Sequence, residues 1–176
     1  MSSFDQLADP VAGDMIATIQ TSKGTIKVKF FPQYAPETVK NFIELSKKSF
    51  YDGLIFHRVI DGFMIQGGDP EGTGMGGESY KGPGTTLKAE IVPELKHIKG
   101  ALAMARKGYD INSASSQFYI VQNQGGVMQL NGQYTIFGQV TDGLTVVDAI
   151  AKVKVNDEDR PLSPVTIKKI TVEEVK

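Results

Sequence analysis

Residues 56–69 read "FHRVIDGFMIQGGD". The stretch mixes one histidine, one arginine, one glutamine and two aspartates with apolar residues and glycines, which makes it poor core filling and an equally poor solvent loop. Asp61–Gly62 is a turn signal between two short apolar runs, so "LIFHRVI" and "FMIQGGD" read as two strands broken at that point. Side chains along a strand alternate faces. Arg58, Met64 and Gln66 therefore share one face if the turn preserves phase. A cation, a thioether and an amide together make an odd core but a reasonable binding surface with one strong donor. Phe63 is out of phase, and it reaches that face only through a bulge or twist, which Gly62 can supply.

Further along, "SSQFYIVQN" (115–123) puts Gln117 and Tyr119 on one face and Phe118 and Ile120, suited to a core, on the other. "QLNGQYTIFG" (129–138) carries an Asn131–Gly132 turn signal with Leu130 and Tyr134 on opposite sides of it. Upstream, "MIATIQTSKGTIKVKFF" alternates as a hairpin with one buried face. "APETVKNFIELSKKSFYDG" changes period: Val39, Phe42, Ile43 and Ser46 recur at helical spacing, predicting a helix over 37–48 whose apolar face packs on the sheet. "LTVVDAIAKV" gives a second helix, and further strands are expected at 99–105, 117–122, 135–141 and 165–172. About eight short strands and two separated helices, without strand–helix alternation, argue for a mainly β fold, an antiparallel sheet closed into a barrel or folded as a sandwich and capped by the helices. Residues 1–14, polar and punctuated by Pro and Gly, read as a loosely ordered N-terminal arm or edge segment. Residues 15–176 read as one domain.

The 176 residues suit a single domain with one sizeable core. A net charge of −1 gives no global pull toward nucleic acid or an anionic membrane. The absence of cysteine removes disulfides, thiolate nucleophiles and thiolate zinc sites. "MSSFDQLADPVAGDM" does not read as a secretory signal, and the longest clean apolar run, "ALAMA", is far short of a membrane span, so a soluble cytoplasmic protein is expected. No heptad or long apolar stripe calls for a dimer, so a monomer is expected. Two histidines 40 residues apart are poor material for a metal site, and both read as structural, His57 hydrogen-bonded near its strand. "GTGMGG" lacks the order of a phosphate loop, and "NDED" (156–159) reads as solvated acid. Met104 fits either core or groove.

"FHRVIDGFMIQGGD", "GALAMAR", "SSQFYIVQN" and "LNGQYTIFGQV" together resemble the cyclophilin family of peptidyl-prolyl cis–trans isomerases, in the family's order, over nearly the whole chain from Met15 onward. The resemblance implies a closed eight-stranded antiparallel β-barrel capped by two α-helices, with an outer groove that binds proline-containing peptides and unfolded or partly folded proteins. It requires no cofactor and no metal. Arg58 matches the family's catalytic arginine. Phe63, Met64, Gln66, Gln117 and Leu130 match its proline-pocket and groove residues, and Ala105 and Arg106 its backbone-contact segment. Tyr119 stands where many members have phenylalanine, and Tyr134 where many have histidine. His57 matches a family histidine not usually given the chemical role. Gln129 stands where the best-studied eukaryotic members carry a cyclosporin-contacting tryptophan, so weak cyclosporin binding is predicted. "NSASSQ" (112–117) looks longer than in those members and more like bacterial single-domain forms.

This chemistry suits these residues. Rotation about an X–Pro bond makes and breaks no bond, so it needs no nucleophile, metal or general base. In the twisted transition state the proline nitrogen regains a lone pair, and a donor aimed at it binds that state better than either planar state. Arg58 is the natural donor, permanently charged and rich in N–H groups. Two other readings remain open on the sequence alone: a proline-motif binding module of the same fold with little turnover, and a metal-dependent hydrolase using His57 and Asp69, where turn stabilisation is the simpler account of Asp69.

Overall fold

Alternation builds the first hairpin. β1 (Met15–Thr21) and β2 (Gly24–Phe30) pair antiparallel with Ala17 opposite Val28 and Ile19 opposite Ile26, all four fully buried. The chain is described over residues 3–176 in a computed structural model. α1 (Pro36–Lys47) follows, with Pro36 in its first turn, where a missing N–H costs nothing. Its Val39, Phe42, Leu45 and Ser46 are buried, while Ile43 is only partly covered. β3 (Arg58–Ile60) and β4 (Met64–Gly67) form the short hairpin expected around Asp61–Gly62. Then come β5 (Ala101–Met104), β6 (Phe118–Val121), one 3-10 turn (Met128–Leu130), β7 (Ile136–Asp142), α2 (Leu144–Ala151) and β8 (Ile167–Glu174). No helix among the described residues is long and apolar enough to cross a membrane.

The strands form one antiparallel sheet in the order β3-β4-β6-β5-β7-β2-β1-β8. The closed barrel expected from the sequence does not form: the sheet is an open half-barrel with β3 and β8 at its edges. Between those edges runs one short pairing ahead of β3: a bridge from Ile55 to Thr166, with the Gly53 and Phe56 N–H groups donating to the Ile167 and Val165 carbonyls and the Ile167 N–H to the Leu54 carbonyl. β3 itself is three residues long, and its Val59 N–H goes to the Asp159 carbonyl rather than to β8, so the pairing does not extend along it.

The middle strands are buried on both faces, which is why "ALAMA" reads as a continuous apolar run. Phe118 and Ile120 of β6 point into the main core with Phe42, Tyr51, Phe56 and Phe137. Tyr119 and Val121 point the other way, into a second cluster with Phe31, Met64, Ala101, Ala103 and Ile136. Met104, ambiguous in sequence, belongs to the main core. This second cluster is the floor of the candidate site. The segment before β1 lies against its far side. Phe4 stands edge-on to Phe31 and Tyr34, with ring centroids 5.6 and 5.0 Å away. Gln6 is buried and bonds both backbone groups of Lys96.

Candidate active site

The β3–β4 hairpin sets Arg58 opposite Gln66 and Ile60 opposite Met64, so Arg58, Met64 and Gln66 do share a face. The turn closes through a Phe63 N–H to Ile60 carbonyl bond of 3.0 Å, with Gly62 in the left-handed region at φ 82°. Phe63 lies outside the regular strand, and it packs on the second cluster beside Met64 and Leu130. Its carbonyl accepts two N–H groups, from Gln122 at 2.8 Å and Asn123 at 3.1 Å. Two residues thus oppose one, and the irregularity that frees Phe63 from simple alternation sits across from it, beyond the end of β6, as well as at Gly62.

A chain of amides runs from the glycine-rich loop to Arg58. The Gly76 carbonyl can only accept, so the Gln117 group 2.7 Å from it is the NH2. Gln117 Oε1 then accepts from Gln66 Nε2 at 3.0 Å, which turns Gln66 Oε1 toward Arg58. The Arg58 Nη1 to Gln66 Oε1 separation is 3.5 Å, long for a hydrogen bond, so the exposed guanidinium keeps its donors largely free.

Arg58, Phe63, Met64, Gln66, Ala105, Arg106, Tyr119, Leu130 and Tyr134 all line one cleft of about 310 Å³. Gln117 lines the adjoining cleft, which shares Gln66, Ala105 and Arg106 with the first. Arg106 is already engaged: Nε and Nη2 donate to the Gln133 carbonyl at 3.1 and 2.9 Å, and the guanidinium lies 4.5 Å over the Tyr134 ring. It braces the far wall of the cleft. Leu130 ends the 3-10 turn, and Gly132 at φ 79° closes the following turn through a Gln133 N–H to Leu130 carbonyl bond.

Sequence reasoning missed part of the lining. Glu158 and Arg160 border the cleft, as do Thr73, Gly74 and His57. The "NDED" segment is therefore more than solvated acid. Asp159 adopts φ 61°, and its carbonyl accepts the Val59 N–H at 2.8 Å, which fastens the loop to β3 and sets its neighbours at the cleft mouth. Only Asn156, whose side chain caps the turn at Glu158 and Arg160, carried a sequence signal.

The two histidines differ from each other: only His57 departs from the expected hydrogen bonding. His57 is 6% exposed, yet neither ring nitrogen has a hydrogen-bond partner among the described residues, so the expected bond near the strand is absent. Burial lowers its pKa, Asp69 opposes that shift, and Arg160 and Arg58 add to it, leaving the ring neutral at neutral pH. His97 is fully bonded, to Asn131 and to the Tyr119 hydroxyl. Burial pushes the Tyr119 hydroxyl pKa far up; Tyr134 adds to the shift and Arg106 opposes it.

Asp69 ties its own loop together. Its carboxylate accepts from the backbone N–H groups of Glu71, Thr73, Gly74 and Gly76 and from the Thr73 hydroxyl. This is the turn-stabilising role, the simpler account of Asp69.

Residues 16–172 match the family model described as "Cyclophilin type peptidyl-prolyl cis-trans isomerase/CLD". A Staphylococcus aureus protein named "Putative peptidyl-prolyl cis-trans isomerase" is 39% identical over 201 aligned positions, covering 99% of this chain and 100% of that one. A Staphylococcus epidermidis protein of the same name is 38% identical with the same coverage. The crystal structure of a cyclophilin type peptidyl-prolyl cis-trans isomerase from Cryptosporidium parvum aligns with a TM-score of 0.86 at 38% identity, covering 93% of this chain and 99% of that one. The same protein in the presence of the dipeptide Ala-Pro aligns at 0.84, covering 90% and 99%. An open antiparallel half-barrel with a donor-bearing cleft on its outer face agrees with these likenesses, and the chain belongs to the cyclophilin-type peptidyl-prolyl cis-trans isomerases.

Proposed function

We propose that the cleft rotates X–Pro bonds in proline-containing peptides and in unfolded or partly folded proteins, with Arg58 as the catalytic donor and no covalent intermediate or metal. The observation that carries this reading is Arg58 itself: a guanidinium with spare donors beside an apolar pocket of Phe63, Met64, Tyr119 and Leu130. The pocket takes the pyrrolidine ring. Gln66 orients Arg58, Gln117 holds Gln66, and the segment at Ala105 and Arg106 aligns the peptide backbone. In the twisted state the proline nitrogen becomes an acceptor, and Arg58 donates to it.

Amide resonance sets the uncatalysed barrier at ~18–20 kcal/mol. A rate gain of about 10⁵ needs about 7 kcal/mol of differential stabilisation. One charge-assisted hydrogen bond supplies about 1.5–3 kcal/mol, so Arg58 carries part of it. Desolvation of the amide in the pocket and a part-twisted bound geometry carry the rest.

The test is cis–trans exchange of an Ala-Pro peptide followed by NMR. Arg58→Ala slows catalysed exchange about 10- to 100-fold, as expected for one such bond, while thermal unfolding stays at the parent temperature because the side chain is exposed. Arg58→Lys does not restore it, since a point charge on a flexible stem lacks the planar fork. Near-parent exchange in Arg58→Ala would overturn the assignment. A role in folding follows if the chain speeds the slow proline-limited phase of a refolding substrate protein. A monomer in the cytoplasm is the setting this reading assumes. Exposed Gln129, whose carbonyl accepts from Gln133 Nε2, offers no flat aromatic surface at the rim, which supports weak cyclosporin binding.

A further inference from the structure

His97 is completely buried behind the cleft, and its bonds fix its tautomer. Its backbone N–H lies 2.7 Å, and its ring Nδ1 3.0 Å, from the same Asn131 atom. A backbone N–H only donates, so that atom is the amide oxygen. An acceptor therefore faces Nδ1, and Nδ1 carries the proton. In the neutral ring Nε2 is then bare, and the Tyr119 hydroxyl 2.7 Å away donates to it. The two rings lie nearly parallel, with centroids 5.9 Å apart and planes 13° apart. Tyr134 stands edge-on to both, at 6.4 Å from His97 and 5.9 Å from Tyr119.

The two ends of this chain lead to different parts of the cleft lining, Tyr119 at one end and Leu130, beside Asn131, at the other. Tyr119 belongs to β6, in the sheet. Asn131 directly follows Leu130 and begins the turn that delivers Tyr134. The Tyr119 and Tyr134 rings touch edge to face across this gap, and the His97 imidazole is the group that joins the two sides by hydrogen bonds. Lys96, the residue before His97, is gripped by Gln6, which accepts its N–H at 3.0 Å and donates to its carbonyl at 2.8 Å.

We propose that His97 is a positioning residue for the isomerase reaction: its neutral Nδ1–H form joins Tyr119 to Asn131 and so sets the width of the pocket that receives the proline ring. The proposal rests on the reading of Tyr119 and Leu130 as walls of that pocket. It also makes the pocket sensitive to protonation of His97. A second ring proton would put N–H against the hydroxyl that now donates, forcing Tyr119 to reverse its bond inside a buried space. Burial holds the ring toward its neutral form, and the Asn131 bond opposes that shift. The titratable and charged groups around it are Tyr119 from β6, Tyr134 from the following turn, Arg106 on the far side of the Tyr134 ring, and Lys96 and Lys99 on its own segment.

The experiment measures kcat and KM for an Ala-Pro peptide by NMR exchange in the full chain, in Tyr119→Phe, in His97→Phe, in the double variant and in Leu130→Ala. Each of the first two variants raises KM about fivefold with kcat within about twofold of the parent, the loss expected for one hydrogen bond. The double variant is no worse than the worse single one, because both remove the same bond. The parent KM rises as pH falls below the ordinary histidine range, since burial lowers the His97 pKa, and the Tyr119→Phe KM stays flat although it keeps His57. If His97→Phe fails to fold, a long-range ¹H–¹⁵N spectrum of the parent decides: a proton on Nδ1 and a bare Nε2 support the proposal, and the reverse tautomer overturns it. Additive effects of the two substitutions, or the same pH dependence in Tyr119→Phe, also overturn it. A Leu130→Ala variant with unchanged KM would remove the pocket reading and this inference together. A raised KM there, with additive Tyr119 and His97 effects, would remove this inference alone.

Discussion

Asp69 is the residue on which the glycine-rich segment closes. Five donors converge on its carboxylate, and a Cβ placed on Gly76 would come within 2.3 Å of Asp69 Oδ1. Glycine is needed there because the carboxylate occupies the space of a side chain. Burial works to raise the Asp69 pKa, but the N–H groups of Glu71, Gly76, Gly74 and Thr73 outweigh it and hold the pKa below the ordinary value. A carboxylate depressed in the folded state stabilises the fold above its unfolded pKa, and that contribution is lost as pH falls through the folded value. Asp69→Asn is therefore less stable than the parent by about 1.5–3 kcal/mol at neutral pH, the worth of hydrogen bonds to a charged group, and the gap closes at acid pH. Urea unfolding of both proteins at neutral and acid pH checks this, and a gap that is constant with pH would contradict it. That Arg58, Met64 and Gln66 share a face was legible because they obey alternation, and the family resemblance supplied the other candidate residues. The partners of His97 were not, since Asn131 and Tyr119 come from distant segments whose approach no local pattern encodes.

At the scale of elements, α1 lacks a cap of its own. Ala35 precedes it and offers no side-chain acceptor. Glu90, far along the chain, fills the role: its carboxylate accepts the Thr38 N–H at 2.7 Å, the Thr38 hydroxyl at 2.8 Å and the Glu37 N–H at 3.2 Å. A negative group at a helix N-terminus also meets the positive end of the helix dipole. Glu90→Ala is expected to cost about 1 kcal/mol of stability, as loss of a cap does, with Glu90→Gln recovering part of it. Amide exchange at Glu37 and Thr38 faster than in the parent would locate the loss at the helix end, while unchanged exchange would show that the cap contributes nothing. The helix itself was readable from the period of Val39 and Phe42, and its cap was not, because the capping residue is supplied by a distant loop. The hairpin around Asp61–Gly62 shows the same division. The turn was legible from its dipeptide, but the two-on-one pairing at Gln122 and Asn123 that frees Phe63 depends on where β6 ends.

For the molecule as a whole, the sheet works as a partition. One face of β4, β5 and β6 closes the core, and the other carries the cleft, so fold stability and site shape rest on alternate residues of the same strands. Strand number and order of elements followed from periodicity, whereas closure did not, because it depends on how the edges meet: the start of β8 pairs with the segment before β3, while β3 itself bonds the loop at Asp159. The segment before β1 lies outside the part that matches the family model, residues 16–172, yet it is bound to the floor of the cleft from behind. Gln6 donates to the Lys96 carbonyl and to Gln139 Oε1, at 2.8 and 3.1 Å, and accepts the Lys96 N–H at 3.0 Å. Gln139 in turn bonds the Lys99 carbonyl at 2.8 Å, so one amide pair fastens both ends of the segment that holds His97. Truncating Gln6 to alanine removes three bonds and leaves the buried Gln139 oxygen short of a partner. The expected cost is about 1–3 kcal/mol, the penalty for an unsatisfied buried group. The effect should be local as well as global: amide exchange at Lys96 and His97 accelerates beyond what the loss of overall stability explains, while exchange at Phe118 and Ile120 in the main core follows global stability alone. Equal acceleration at all four amides would show that the N-terminal segment only adds to overall stability and has no separate hold on the wall of the cleft.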